Sequence, residues 1–401
     1  MEERRNTYLA IAITTKCNYK CFYCKKGGES ISQKQQTIPY EKLKNIIDVA
    51  IEEGIRNFRI TGGEPTGVTY FGKLIEYIME FEQTKIRINT NGFKILKYIN
   101  ILKKYRKRLD IVFSVDSISE YIDGMYFPKF LSEDVIKITR ILRNNEIPVR
   151  YNIVVTKTNE PEVRSLVLKA LDDLCINVKL LDLNKFPEYY GNKKEICEKE
   201  ALDFWQTMFV PMKNFYGFLE EISEKSDLDW TTKMIGKGNG IPMSAYFRKE
   251  NWVQVKDSER GAKYAKYCKE SCNYYKKGEC REGVFSLFLS SNLVLHLSGC
   301  KNEKIRFNLN KCNDDEIKLI MDYQKRVPII LDNEDNIEKF CIDARQLWEE
   351  LECPQGQFNK WVERKFKPYG FVENVDFTAF GQKCPTANGG YTISKEYTLS
   401  V

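Results

Sequence analysis

Six short runs rich in β-branched and aromatic residues alternate with helical patterns over the first 185 residues, and this rhythm constrains the fold more than any other feature. The runs lie at 8–14, 57–61, 86–90, 111–115, 149–155 and 178–183. Between the first two, Leu43, Ile46, Ile47, Ala50 and Ile51 fall on one helical face, with Pro39 near its start and Gly54 just past its end. Further helices are expected near 71–81, 132–144 and 160–174. Such a rhythm predicts βα units around a parallel sheet or barrel. Cys17, Gly63, Asn91, Ser114, Asn152 and Asp182 then fall at or beyond the carboxyl ends of successive strands. In a βα barrel that is one rim, the rim on which active sites are built.

Cysteine and histidine usage narrows the chemistry. The single histidine, His296, excludes a multi-histidine metal site or a histidine-centred triad within one chain. The 13 cysteines are clustered, and with no signal-peptide pattern and no apolar run of the roughly 18 residues that span a membrane, a cytoplasmic chain is expected. Such clusters there point to metal or iron–sulfur chemistry rather than to disulfides. Cys17, Cys21 and Cys24 form a C-x3-C-x2-C run directly after the first strand. Three thiolates on one loop suit three irons of a [4Fe–4S] cube, leaving the fourth iron open; a zinc loop and buried structural thiols are the competing readings. The formal charge of +7 is spread along the chain, compatible with an anionic substrate and far short of a nucleic-acid footprint.

The run Cys17-Asn-Tyr-Lys-Cys21-Phe-Tyr-Cys24 resembles the signature of the radical S-adenosylmethionine (SAM) superfamily. Gly62-Gly63-Glu64-Pro65 resembles its GGE motif, whose backbone holds the methionine amino group, and Tyr23 matches the aromatic position that contacts adenine. Thr90-Asn91-Gly92 and Ser114-Val115-Asp116-Ser117 follow the third and fourth strands, where the family faces SAM and its ribose; Asn152 is expected to join them. The resemblance implies SAM chelated at the open iron, electron transfer from a reduced cluster and release of a 5′-deoxyadenosyl radical that abstracts hydrogen from a C–H bond. It also implies an external electron donor of flavodoxin or ferredoxin type. The protein then positions the substrate and excludes water.

A second group, Cys268, Cys272, Cys280 and Cys300, surrounds two alternating runs joined by Ser290-Ser291-Asn292. A hairpin there would return the chain to its starting point and bring Cys280 near Cys300. Four thiolates could hold a second, auxiliary [4Fe–4S] cluster, with a zinc knuckle or core thiols as alternatives. The arrangement is similar to the twitch-type auxiliary region of some radical SAM enzymes, and most to the GTP 3′,8-cyclase branch of molybdenum cofactor biosynthesis. Arg59 and Arg150 match basic substrate-facing positions of that branch. Ala10, Phe285, Ser286 and Phe288 stand where it carries basic residues, so its triphosphate contacts are depleted.

The expected fold is therefore α/β: a partial (β/α)6 TIM-like barrel, a small β-hairpin iron–sulfur domain and a C-terminal extension. The expected boundaries are 1–185 for the barrel, 186–257 for a connecting segment, 258–312 for the auxiliary domain and 313–401 for the extension. The expected activity is hydrogen abstraction from a specialised small molecule or peptide, leading to cyclisation, cross-linking, epimerisation or oxidation. Cys17 lies so close to Met1 that leader-peptide recognition would fall to the extension or to another protein. The alternatives are a GTP 3′,8-cyclase and a non-catalytic iron–sulfur or zinc protein that binds nucleic acid.

Overall fold

The computed structural model describes residues 8–19, 21, 23–24, 35–117, 121–122, 125–126, 133–183, 198–228, 243–260, 276, 286–297, 306–326, 341–343, 377–385 and 391–400. Its sheet strands in the first half are β1 (Tyr8–Ala12), β2 (Asn57–Thr61), β3 (Lys85–Thr90), β4 (Leu109–Ser114), β7 (Val149–Val155) and β8 (Asn177–Asp182), with a small ribbon of β5 (Tyr121–Ile122) and β6 (Met125–Tyr126) set apart. Later come β9 (Lys225–Asp227), β10 (Met243–Arg248), β11 (Asn251–Lys256), β12 (Leu287–Leu289), β13 (Val294–Leu297) and β14 (Phe307–Asn308). Among the described residues one sheet runs β14-β13-β12-β1-β2-β3-β4-β7-β8-β11-β10-β9. From β12 through β11 every neighbouring pair is parallel, and antiparallel strands finish both edges. This is an α/β partial barrel, as the strand and helix rhythm predicts.

The helices are α1 (Tyr40–Glu52), α2 (Phe71–Glu80), α3 (Ile99–Lys104), α4 (Glu133–Asn144), α5 (Glu160–Leu168), α6 (Glu198–Met208), α7 (Lys213–Ile222) and α8 (Asp314–Arg326). Helix α1 buries the stripe read from its sequence, Leu43, Ile46, Ile47, Ala50 and Ile51. Residues 169–173, expected to continue α5, form a wider π turn before Cys175 adopts φ 47°. The stretch after Leu183, read as an irregular connection, contains α6, α7 and β9 to β11. Strand β11 pairs in parallel with β8 and so extends the barrel sheet. The Ser-Ser-Asn turn does close a hairpin: β12 pairs antiparallel with β13, Ser290 N–H donates to Val294 O at 2.9 Å, and β12 lies in parallel beside β1.

Strand alternation separates two chemistries. Leu9, Ile11, Phe58, Ile60, Ile86, Ile88, Ile111, Tyr151, Ile153, Val178 and Leu180 are buried on one face, matching the apolar stripes of the surrounding helices. Register places Arg59, Arg87 and Asp110 side by side on the other face. Ser114, Asn152, Lys179 and Gln254 form another row of that face. It is the inner face of the barrel.

The chain divides into two compact units, one of residues 1–301 with 306–332 and one of 302–305 with 333–401. The second contains β15 (Cys341–Asp343), β16 (Phe377–Pro385) and β17 (Tyr391–Ser400), an antiparallel sheet in the order β15-β17-β16. Among the described residues no helix is long and apolar enough to cross a membrane.

Candidate active site

The loop after β1 is clamped from two sides. Thr15 N–H donates to Gln36 O at 2.9 Å and Ile38 N–H to Ile13 O at 2.9 Å, so the chain returning toward α1 pairs with its departure. From the end of β2, Gly63 N–H donates to Thr14 O at 2.7 Å and Glu64 N–H to Lys16 O at 2.8 Å. Side chains are excluded there: a Cβ on Gly62, whose φ is +142°, would lie 2.4 Å from Thr14 O, and one on Gly63 2.2 Å from Lys16 O. The Gly-Gly pair thus sets how closely the cysteine loop approaches the end of β2.

Cys17, Cys21 and Cys24 are reduced cysteines on this loop. Cys24 N–H donates to Cys21 O at 3.1 Å, a turn that holds the last two together. The Cys17 Sγ accepts from Tyr19 N–H at 3.3 Å and from Asn91 Nδ2 at 3.8 Å. Burial pushes the Cys21 thiol well above its ordinary range, and the charges of Asp116, Cys24 and Cys17 push it further. Among the described residues no group of three or more His, Cys, Asp or Glu side chains is set to hold a single metal ion. A cube takes one thiolate per iron, and three cysteines on one loop are the donor set of a [4Fe–4S] cluster with one iron left open.

Glu64 links the neighbouring strand ends. Its Oε1 accepts from Thr66 N–H at 3.0 Å, from the Thr66 hydroxyl at 2.5 Å and from the Thr90 hydroxyl at 2.7 Å, while Oε2 accepts from Asn91 N–H at 2.7 Å. Burial still raises its pKa, against the pull of these donors. Asn91 in turn donates from Nδ2 to Asn18 Oδ1 at 3.0 Å, on the cysteine loop. Pro65 begins a short 3-10 turn capped by the Glu64 side chain.

A second link joins the loop to the far strands. The Tyr23 hydroxyl donates to the Asp116 carboxylate, whose other oxygen accepts from Val154 N–H at 2.9 Å. Asn159 Nδ2 donates to Asp116 O at 2.6 Å and to Val154 O at 2.9 Å. Burial raises the Asp116 carboxyl to about 6, offset in part by the bonds from Tyr23 and Val154. Ser114 and Asn152 are register partners on β4 and β7, Val115 N–H donates to Asn152 O at 3.0 Å, and Asn152 Oδ1 is buried with no partner among the described residues.

Arg150 pairs with Asp110 at 3.0 Å, and burial with the neighbouring Arg87 lowers its pKa to about 10. The Arg59 guanidinium stands over the rings of Tyr8 and Phe288 at 5.9 and 5.8 Å. Phe288 packs with Ala10 and Ala12, so an apolar patch stands beside Arg59. Cys268, Cys272, Cys280 and Cys300 lie outside the described residues, as does Phe285.

The sequence reading missed Lys179, Asn159 and the wiring of Glu64. Lys179 had a signal: it alternates with Val178 and Leu180, so it faces inward where they face outward. Asn159 had none, because its role depends on β4 and β7 meeting.

Residues 11–170 match the radical SAM superfamily, and residues 342–401 match the AntA/AntB antirepressor family. The GTP 3′,8-cyclase of Campylobacter jejuni subsp. jejuni serotype O:6 (strain 81116 / NCTC 11828) is 31% identical over 203 residues, covering 50% of this chain and 62% of that protein. The chain thus spans less than two thirds of that relative's length. Among solved structures, Streptococcus suis SuiB bound to S-adenosylmethionine superposes with a TM-score of 0.53 at 17% identity, covering 93% of this chain and 77% of SuiB. SuiB bound to its precursor peptide SuiA superposes at 0.52 and 17%, covering 93% and 76%. At these identities the likeness is one of fold.

Proposed function

We infer, for a chain whose residues 11–170 form a radical SAM domain, that Cys17, Cys21 and Cys24 hold a [4Fe–4S] cluster and that the protein cleaves SAM reductively to abstract hydrogen from a substrate. A bound cluster supplies the electron and an open iron for the amino and carboxylate groups of SAM. The protein's own contribution is positional. The Gly62-Gly63 approach and the Glu64–Asn91–Asn18 chain fix the cysteine loop against the ends of β2 and β3. Tyr23 and Asp116 fix it against β4 and β7. Gly62, Gly63, Glu64, Pro65, Asn91, Ser114, Asp116 and Asn152 then line the path that SAM would follow from the cluster, with Tyr23 beside its adenine. The observation that carries this reading is the convergence of four strand ends on one cysteine loop.

The substrate we propose is a specialised small molecule or a peptide, and Cys268, Cys272, Cys280 and Cys300 are proposed ligands of an auxiliary cluster. A peptide is supported by the SuiA-bound fold relative. A second reading, GTP 3′,8-cyclase, is supported by the named relative at 31% identity, with Arg59 and Arg150 as phosphate contacts. Against it, Ala10 and Phe288 form an apolar patch at positions where that branch is basic.

The test uses anaerobically reconstituted protein, a strong reductant, and SAM with and without GTP. About eight irons per chain and slow formation of 5′-deoxyadenosine, lost when Cys17, Cys21 and Cys24 are replaced by Ala, support the reading. Stimulation by GTP selects the cyclase. Zinc without iron and no cleavage would overturn both.

A further inference from the structure

We propose that Trp205, on α6, is a positioning residue for the cysteine loop: its indole holds the Tyr23 side chain in place, and through Tyr23 it fixes Cys21 and Cys24. This rests on the reading of Cys17, Cys21 and Cys24 as cluster ligands. It adds to that reading an element from outside the matched radical SAM region, which ends at residue 170.

Tyr23 stands between Cys21 and Cys24 in the chain, so whatever holds its side chain restrains two of the three thiols. Its hydroxyl donates to Asp116, and burial pushes the phenol well above its ordinary range, which keeps the donated proton in place. A single hydrogen bond at the tip would leave the ring free to pivot about it. Packing removes that freedom: Tyr23 lies against the buried pair Leu183 and Trp205, in a cluster that also takes in Val154 and Phe209.

Trp205 is in turn held firmly. Its Nε1 donates at 2.8 Å to Leu183 O, just past the end of β8, and the residue is 9% exposed. The Phe209 ring stands 4.5 Å from the indole, centroid to centroid. The end of α6 is joined to the chain leaving β7, where Lys157 N–H donates to Met208 O at 2.9 Å and Phe209 bridges Thr156. Val154, whose N–H donates to Asp116, belongs to the same cluster. Both grips on Tyr23, at the hydroxyl and at the ring, are therefore fixed to the ends of β7 and β8. A tryptophan suits the task, since it offers a wide rigid surface with only two torsions to order. If Trp205 merely filled space under α6, its loss would loosen the core in general; the geometry instead predicts a loss confined to the cysteine loop.

Thiol alkylation tests this on the full chain, reduced and free of cluster, with iodoacetamide as the probe and peptide mass spectrometry reading each cysteine separately. Trp205→Ala should speed alkylation of Cys21 and Cys24 at least about fivefold, while Cys175, exposed at the other end of β8, stays unchanged. Trp205→Phe, which keeps a ring, should stay within about twofold of the parent. Tyr23→Ala should loosen the same two cysteines, and Trp205→Ala added to it should change them little, because the link is already gone. Phe215→Leu, a core change on α7 outside the Tyr23 cluster, measures general loosening. Should Trp205→Ala not fold, Trp205→Leu carries the same expectation. Parent-like rates in the Ala or Leu variant, a Phe variant just as loose, additive effects in the double variant, or an equal rise in Phe215→Leu would each overturn the proposal. Iron retention and 5′-deoxyadenosine formation by the reconstituted parent show separately whether the cluster reading stands.

Discussion

Asn91 hangs from Glu64: its backbone N–H donates to Glu64 Oε2 at 2.7 Å, and its side chain reaches Asn18 in the cysteine loop at 3.0 Å. The carboxylate has no spare role, since its other oxygen already accepts from Thr66 and Thr90. Glu64→Gln keeps the shape but turns one acceptor into a donor. Whichever way the amide turns, a buried donor faces a donor. The cost should be roughly 2–3 kcal/mol of stability. Urea unfolding should show it, together with reduced iron retention after reconstitution. A variant as stable as the parent would mean that the four bonds do not hold the loop.

Asp116 gives a pH signature. Its carboxyl is raised to about 6, above the ordinary Asp value of about 3.9. Between those values the folded chain binds the proton more tightly than the unfolded chain. The stability this group contributes is therefore fully present below about pH 4 and is lost as pH rises through about 6. Asp116→Asn removes that loss. Relative to the parent, the variant should gain about 2–3 kcal/mol between pH 4 and pH 7. Unfolding of cluster-free protein at several pH values measures it, and a flat difference would remove the burial argument.

Two glycines four residues apart in the same loop region make a controlled comparison. Gly63→Ala must move the Lys16 carbonyl, because the new Cβ would sit 2.2 Å from it, whereas Gly67 has open space around the corresponding position. Gly63→Ala should lose most of its iron and SAM cleavage with the fold retained by circular dichroism. Gly67→Ala should keep both. Equal behaviour of the two would show that close approach at Gly63 is not what positions the loop.

The strands and helices of the first half were legible because each apolar stripe has one place to go. Strands β2 and β7 have the limits read from the sequence, and α1 buries the stripe its spacing marks. The Ser-Ser-Asn hairpin was legible from its turn residues. Strands β10 and β11 were not, because aromatic and charged residues, as in Tyr246, Phe247, Arg248, Trp252 and Lys256, are interleaved with few β-branched ones there. At the site, residue types were legible and their partners were not. Glu64 reads as part of a motif, yet its four donors come from the turn that follows it and from the end of β3, which only folding brings beside it.

The inner-face charges allow a last test that does not depend on any ligand. Asp110 accepts from Arg87 at 2.8 Å and from Arg150 at 3.0 Å, and only Arg150, with its side chain 12% exposed, is deeply buried. Asp110→Asn leaves that guanidinium without its counter-charge among cations. The expected loss is about 2–4 kcal/mol, toward the lower end because Asp110 itself is partly exposed. Arg150→Met in the same chain should restore part of it, since removing both partners costs less than orphaning one. Salt separates the two arginines: 1 M salt, with a Debye length of about 3 Å, should erase the Arg87 share and spare most of that of Arg150. A double variant no more stable than Asp110→Asn alone would show that the two side chains do not depend on each other.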